Sequence, residues 1–173
     1  KIAQYGWEVL STWAMGDSLE TLSLAGAAEV NLVVSSVGIP AAKVLEEKFG
    51  TPYIIGTPIG EFAEELVQEL RGSEEITLIG EAVTMRSLAS EIEKKYHCAV
   101  RVICPLETHE GLLGENDRVS RGEEEMEELL KDSRIIVADP LYRPICPKGS
   151  QFYELPHVAF SGRIFLKKYK KIY

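Results

Sequence analysis

The sequence predicts an α/β fold of doubly wound parallel sheets flanked by helices. Two observations lead there. Short apolar runs alternate with amphipathic stretches along most of the chain, and the runs are continuous rather than alternating, so they are expected to be strands covered on both faces. Strands separated by a helix-length crossover must be parallel, because a hairpin needs an immediate reversal, and such crossovers are nearly always right-handed. The stretch Arg71-Gly72-Ser73 reads as a boundary. The strands are therefore expected in one sheet, or in two small three-layer domains covering 1–72 and 73–173.

The elements follow in order. A first strand is expected from Glu8 to Ala14. Asp17 or Ser18 then caps a helix with Glu20 in its first turn, since a side-chain oxygen there accepts an otherwise unpaired backbone N–H. A second strand covers Val30 to Ser35. Gly38, Ile39 and Pro40 open a helix that runs to Phe49, where Gly50 ends it with a positive φ. A third strand runs from Pro52 or Tyr53 to Gly56, followed by the loop Thr57 to Gly60 and a helix from Glu61 to Leu70 with Phe62, Leu66 and Leu70 on one face. The pattern then repeats with a strand at Ile76 to Ile79, a turn at Gly80-Glu81, a helix at Thr84 to Tyr96 and a strand at Ala99 to Cys104. Residues 105–121 read as a long polar loop, Gly122 to Asp132 as an acidic helix and Arg134 to Ala138 as a strand. A loop through Pro140, Pro144 and Pro147 leads to a last short strand at His157 to Phe160.

Composition narrows the function classes. The 173 residues are 45% hydrophobic and 27% charged, enough apolar material for a sizeable core. The net charge of -8 repels phosphate backbones, so no nucleic acid is expected as a partner. Lys167, Lys168, Lys170 and Lys171 read as a solvated tail. No apolar run reaches the length of a membrane span, so no membrane partner is expected. The first residue is Lys1, and the chain is read as starting inside a longer product or after processing, with no secretory leader. Cys98, Cys104 and Cys146 are too few for a secreted disulfide framework, so the cytoplasm is the expected compartment.

In such a fold, function sits at the C-terminal edges of the strands. The loops expected there include Met15 to Asp17, Ser35 to Gly38, Thr57 to Gly60, Gly80 to Ala82, Pro105 to Gly111 and Asp139 to Pro147. Glycine lets a backbone approach a ligand closely and a helix N-terminus favours anions, although any α/β fold needs such turns. The glycine fingerprints of dinucleotide and phosphate loops are absent, which disfavours nucleotide binding by those routes. Ser35-Ser36-Val37-Gly38 lacks the glycine that precedes a nucleophilic serine, which removes the hydrolase elbow. Cys104 and Cys146 are expected at the ends of neighbouring strands and could converge as ligands, but two thiolates fall short of the usual four, and two unrelated thiols is the plainer reading. His109 with Glu107 and Glu110 reads as a solvated loop before it reads as a metal site, and His97 as a helix end. His157, beside Ser161, Gly162 and Arg163, is the histidine of most interest, with packing against a sheet edge as its default role. Arg143 and Arg163 could grip a carboxylate or phosphate; surface ion pairing is the plainer reading.

Two stretches carry a family resemblance. The first is GDSLETLSLAGAAEVNLVVSSVGIPAAKVLEEKFGTPYIIGTPIG, from Gly16 to Gly60; the second comprises ITLIGEAVTMRSLASEIEKKY, VICP, RIIVADPLY and LPHVAFSGR. In order and spacing they resemble the middle and C-terminal domains of a subunit of the nitrogenase component-1-type oxidoreductases, a superfamily of nitrogenase subunits, cofactor-assembly scaffolds and tetrapyrrole reductases. The resemblance implies a nitrogenase component-1-like fold, a homologous component-1-type subunit as partner, and electrons from a separate ATP-dependent iron–sulfur reductase. It also implies a bridging iron–sulfur cluster in the full-length protein, held mainly by cysteines of a first domain that this chain lacks; no cofactor and no metal are expected in this fragment. Ser35 falls where the nitrogenase catalytic subunit holds its cofactor with a cysteine, and His157 falls one residue from the position of the second ligand. An iron–molybdenum cofactor is therefore not expected, and a tetrapyrrole or another substrate is.

On this reading the complete protein is an oxidoreductase or an assembly scaffold, and the fragment alone is inactive. Its part is to line a cavity with Ser35, Ser36, Gly38, Gly60, Glu81 and His157. Two other readings remain open: a non-catalytic ligand-binding α/β module, and a sugar-nucleotide-type transferase. Fold analogy alone does not separate them.

Overall fold

The structure, a computed structural model, describes residues 2–14, 16–59, 65–66, 68–70, 75–157, 160–161 and 164. Among them, seven strands form two sheets in which every pairing is parallel. β1 (Asn31–Val33) pairs with β2 (Tyr53–Ile55). The second sheet holds β3 (Glu75–Ile79), β4 (Ala99–Cys104), β5 (Arg118–Val119), β6 (Ile135–Ala138) and β7 (Gln151–Glu154), in the order β5-β4-β3-β6-β7. Among the described residues the helices include α1 (Leu19–Leu22), α2 (Ile39–Phe49) between β1 and β2, α3 (Ala82–Tyr96) between β3 and β4, and α4 (Glu123–Leu130) between β5 and β6; residues 65–66 and 68–69 are also helical, within the helix expected from Glu61 to Leu70.

Local chemistry sets the helix ends. The Ser18 hydroxyl accepts the Thr21 N–H at 3.3 Å and starts α1. Pro40 sits in the first turn of α2, and Gly50 closes it at φ 70, a left-handed conformation that costs a residue without Cβ little. Glu81 caps α3, and Lys94 and Lys95 in its last turn favour the negative end of the helix dipole.

The central strands β3, β4 and β6 are buried on both faces, while β5 and β7 at the edges are not, and the two-residue period of the strands divides the core. Ile76, Leu78, Val100, Val102 and Val137 turn to one side and pack with Met85, Leu88 and Ile92 of α3. Ile79, Ile103, Ile136 and Ala138 turn to the other and pack with Met126 and Leu130 of α4. The amphipathic stripes of the two helices match these two faces, which is what wraps the sheet.

Several expectations are corrected. Residues 8–14 form no strand: Trp7, Val9, Leu10 and Trp13 are exposed, and the segment finds no ladder partner among the described residues, so its apolar run has no sheet to join. The loop 105–121 contains the short strand β5, held by Ile103 and Cys104 opposite Arg118 and Val119. Among the described residues the last strand is Gln151–Glu154; of the strand expected at His157 to Phe160, residues 158 and 159 lie outside the described residues, and the His157 carbonyl accepts the N–H groups of Phe160 and Ser161. The β1–β2 sheet is not covered on both faces, since Ile54 and Ile55 of β2 are exposed. Residues 60–64 and 71–74, with Gly60, Phe62 and the boundary stretch, lie outside the described residues, as do Gly162, Arg163 and the lysine tail.

Candidate functional site

From β3 the chain moves outward to β4 and β5, then returns to lay β6 on the opposite side of β3. The winding direction reverses between β3 and β6, the place in a doubly wound sheet where ligands commonly bind. Each strand delivers one buried carboxylate to this point. Glu81, 5% exposed, follows β3 by two residues, and Asp139, 1% exposed, follows β6 directly.

Both carboxylates are held by backbone donors. Glu81 Oε2 accepts the Thr84 N–H at 2.9 Å, and Oε1 accepts the Ser36 N–H at 2.8 Å. The second bond joins the loop after β1 to the first turn of α3, and so ties the two sheets together. The Ser36 hydroxyl donates to the Glu107 carbonyl at 3.1 Å, which brings the loop after β4 to the same place. Asp139 Oδ1 accepts the Leu141 N–H at 3.0 Å, while Oδ2 accepts those of His157 at 2.7 Å and Ser161 at 3.2 Å. Asp139 thus fixes the segment that carries His157.

The titrating groups at the switch point are shifted mainly by burial. His157 lies below the ordinary imidazole range because desolvation outweighs the opposing attraction of Glu81 and Asp139. The Tyr142 phenol is pushed up to about 12, first by burial and then by the charge of Asp139. The His157 and Phe160 rings stack in a tilted pair at 4.9 Å, and Phe160 meets Tyr142 edge-on at 5.7 Å. A neutral imidazole and a protonated phenol therefore stand beside two fixed carboxylates. Such groups can hydrogen-bond and orient a ligand; the described residues place no activated nucleophile among them.

The structure brings together much of what the sequence singled out. Ser36 and Glu81 are directly bonded, and His157 lies within the electrostatic reach of Glu81. Ser35 is half-buried, and its carbonyl accepts the Gly38 N–H at 2.9 Å, closing the turn after β1. Gly38 approaches Val33, where a Cβ would stand 3.3 Å from Cγ1. Gly60 lies outside the described residues. Asp139 and Tyr142 were missed as site residues; an aspartate followed by proline directly after an apolar strand was the available signal.

Other candidates are set aside. Cys104 ends β4 and Cys146 follows β6, two strands apart with β3 between them, so they do not end neighbouring strands. His109 Nδ1 is 3.2 Å from the Glu110 carbonyl and Nε2 is 3.4 Å from Lys43 Nζ, and among the described residues it belongs to no group of three metal-ligating side chains. Arg143 pairs with Glu154 at 3.5 Å and covers the Phe152 ring at 4.9 Å, on the surface.

A doubly wound parallel sheet with buried polar groups at its switch point defines the α/β class of the chain. The particular family follows from comparison: the family model of nitrogenase component 1 type oxidoreductases matches residues 2–97, more than half of the chain, and the chain belongs to that family. No curated protein and no solved structure matches it.

The family is associated with iron–sulfur clusters and with complexes between subunits. The thiols described here do not suit a cluster, which takes about four cysteine thiolates. Cys104 donates its S–H to the Leu106 carbonyl at 3.4 Å and Cys146 to the Tyr142 carbonyl at 3.2 Å, and burial raises both thiols, so both are held protonated. Among the described residues no three His, Cys, Asp or Glu side chains are grouped to hold a metal ion, and no helix is long and apolar enough to cross a membrane.

Proposed function

We propose that this chain is the C-terminal part, with units at 1–72 and 73–173, of a component-1-type subunit that works in the cytoplasm beside a homologous subunit. The complete protein takes electrons from an ATP-dependent iron–sulfur reductase and reduces a substrate held at the switch point between β3 and β6. The chain shapes that cavity with Ser35, Ser36, Gly38, Gly60, Glu81 and His157 and does no reduction alone. A tetrapyrrole is the favoured substrate, because a serine hydroxyl at position 35 is a poor replacement for a metal-binding thiolate.

The observation that supports this reading is the Ser36–Glu81 bond, which joins the loop after β1 to the first turn of α3 near the C-terminal strand ends. The test is anaerobic purification of the full-length gene product, followed by iron, sulfide and bound-pigment analysis and by ATP-dependent reduction assays with the reductase. Iron and sulfide together with reduction of a bound tetrapyrrole are expected. A full-length protein that holds neither iron nor sulfide and accepts no electrons overturns the reading, and leaves a ligand-binding module in its place.

A further inference from the structure

The small body formed by β1, α2 and β2 and the larger body of the five-stranded sheet have separate cores. Val33, Ile39 and Ala42 fill the first, while the buried side chains of β3, β4 and β6 pack with α3 and α4 in the second. Leu112 of the larger body packs against the small core, and Ile59, just after β2, packs against the large one. Each is only partly buried, so the apolar contact between the bodies is marginal rather than a shared core. A junction of that kind has to be held by polar contacts.

Those contacts gather at one end of α3. The Ser36 N–H reaches Glu81 Oε1 at 2.8 Å, and the Ser36 hydroxyl reaches the Glu107 carbonyl at 3.1 Å. The Thr57 N–H donates to Ser87 Oγ at 2.9 Å, and the Thr57 and Thr84 hydroxyls are 3.3 Å apart. Glu81, Thr84 and Ser87 belong to the N-cap and first two turns of α3. Beyond them a cavity of about 870 Å³ continues along the helix past Ser90 to Lys94 and Lys95, with Leu32, Ile54 and Ile55 of the two strands on its other side. Lys94 pairs with Glu91 of its own helix at 3.3 Å and Lys95 lies 5.8 Å from the ring centre of Tyr96, so neither is tied to the strands by a bond among the described residues.

We infer that this seam is a hinge about which the small body swings over α3, widening and narrowing the cavity between them. Contacts at one end of a helix and a gap along the rest of it make a lever, so a small turn at Ser36 and Thr57 moves the far end most. Breaking the seam exchanges protein hydrogen bonds for bonds to water and leaves both cores intact, so it costs far less than unfolding either body. Closure of this type moves rigid bodies about a few loop and element-terminal residues, and Ser36, Thr57 and Glu81 are of that kind. Ser36 and Glu81 also belong to the proposed substrate cavity, yet the hinge follows from the packing of the two bodies and does not depend on the proposed reduction.

The test is amide hydrogen exchange in the full-length protein, read at single residues. The Ser36 and Thr57 amides have different acceptors, Glu81 and Ser87. They are expected to exchange through one shared opening, with equal protection about a hundredfold below that of Leu78 and Val137 in the large core. Ser87→Ala removes the acceptor of Thr57 alone, yet it is expected to speed exchange at both amides by about three- to tenfold. Leu78 and Val137 report any general loss of stability in that variant. Spin–spin distances read the swing itself, with nitroxides coupled to ketone-bearing residues introduced at positions 54 and 94, across the cavity, and at 94 and 131, within the larger body. The first pair is expected to give the broader distribution and to move to longer distances in Ser87→Ala, while the second stays in place. Independent exchange of the two amides, exchange of either only together with Leu78 and Val137, or a 54–94 distribution as narrow as the control and unmoved by Ser87→Ala overturns the inference.

Discussion

The backbone N–H of Ser36 points at the buried carboxylate of Glu81, 2.8 Å away, and this contact joins the loop after β1 to the helix after β3. Glu81 also caps α3 through Thr84, so one side chain serves both a helix terminus and the junction between two sheets. Replacing it with alanine leaves the buried Ser36 N–H and the part-buried Thr84 N–H without this acceptor. Glu81→Ala should therefore cost about 2–4 kcal/mol, and Glu81→Gln, which keeps one oxygen, about half of that. Urea unfolding checks the values, and faster hydrogen exchange at the Ser36 amide checks the site; equal stability of the two variants would contradict the shared-acceptor account.

The depressed His157 imidazole links stability to pH. Its folded pKa lies below the unfolded value, so the unfolded chain binds more protons as pH falls. The contribution of neutral His157 is complete above the ordinary imidazole pKa of about 6.5 and is lost as pH drops toward the folded value. His157→Gln should flatten this acid limb of the stability curve. Denaturation midpoints measured from neutral pH downward, with NMR titration of the ring, report the effect. A folded pKa above the ordinary value would reverse the sign.

Cys104 should resist alkylation. It is fully buried at the end of β4, its thiol is raised by burial, and it donates to the Leu106 carbonyl. Thiolate is the reactive species, so modification must wait for opening of the sheet. Mass spectrometry after timed iodoacetamide exposure should find Cys98 and Cys146, both part-exposed, labelled first. Sub-denaturing urea should accelerate Cys104 more than either.

Gly80 stands where β3 passes beneath Met85. A Cβ at Gly80 would lie 3.0 Å from Met85 Cγ and 3.2 Å from its Cε and Sδ, and Met85 is itself only 2% exposed. The thioether must move within a packed core, so Gly80→Ala should cost about 1–2 kcal/mol. Thermal unfolding measures it. Met85→Ala should cost about 2–5 kcal/mol by itself, and the double variant should cost less than the sum, because the shortened side chain makes room for the added methyl group.

The parallel α/β architecture was legible because its causes are local and periodic. Ser18, Pro40 and Gly50 marked helix ends through their own backbone chemistry, and the Ala99–Cys104 strand was readable from its apolar run. The Glu8 to Ala14 strand failed for the opposite reason: an apolar run is a strand only when another strand supplies its hydrogen bonds, and none among the described residues does. β5 was hidden because a two-residue strand has too little pattern to stand out from a polar loop.

Ser36, Glu81 and His157 could be named from the chain as rim residues, since the end of a parallel strand is where loops open. That Ser36 would bond to Glu81 across 45 positions, and that Asp139 would pin the His157 backbone, depended on strand order. Periodicity says which faces are apolar but not which strand lies beside which. Only packing β6 against the free side of β3 put two buried carboxylates at one switch point.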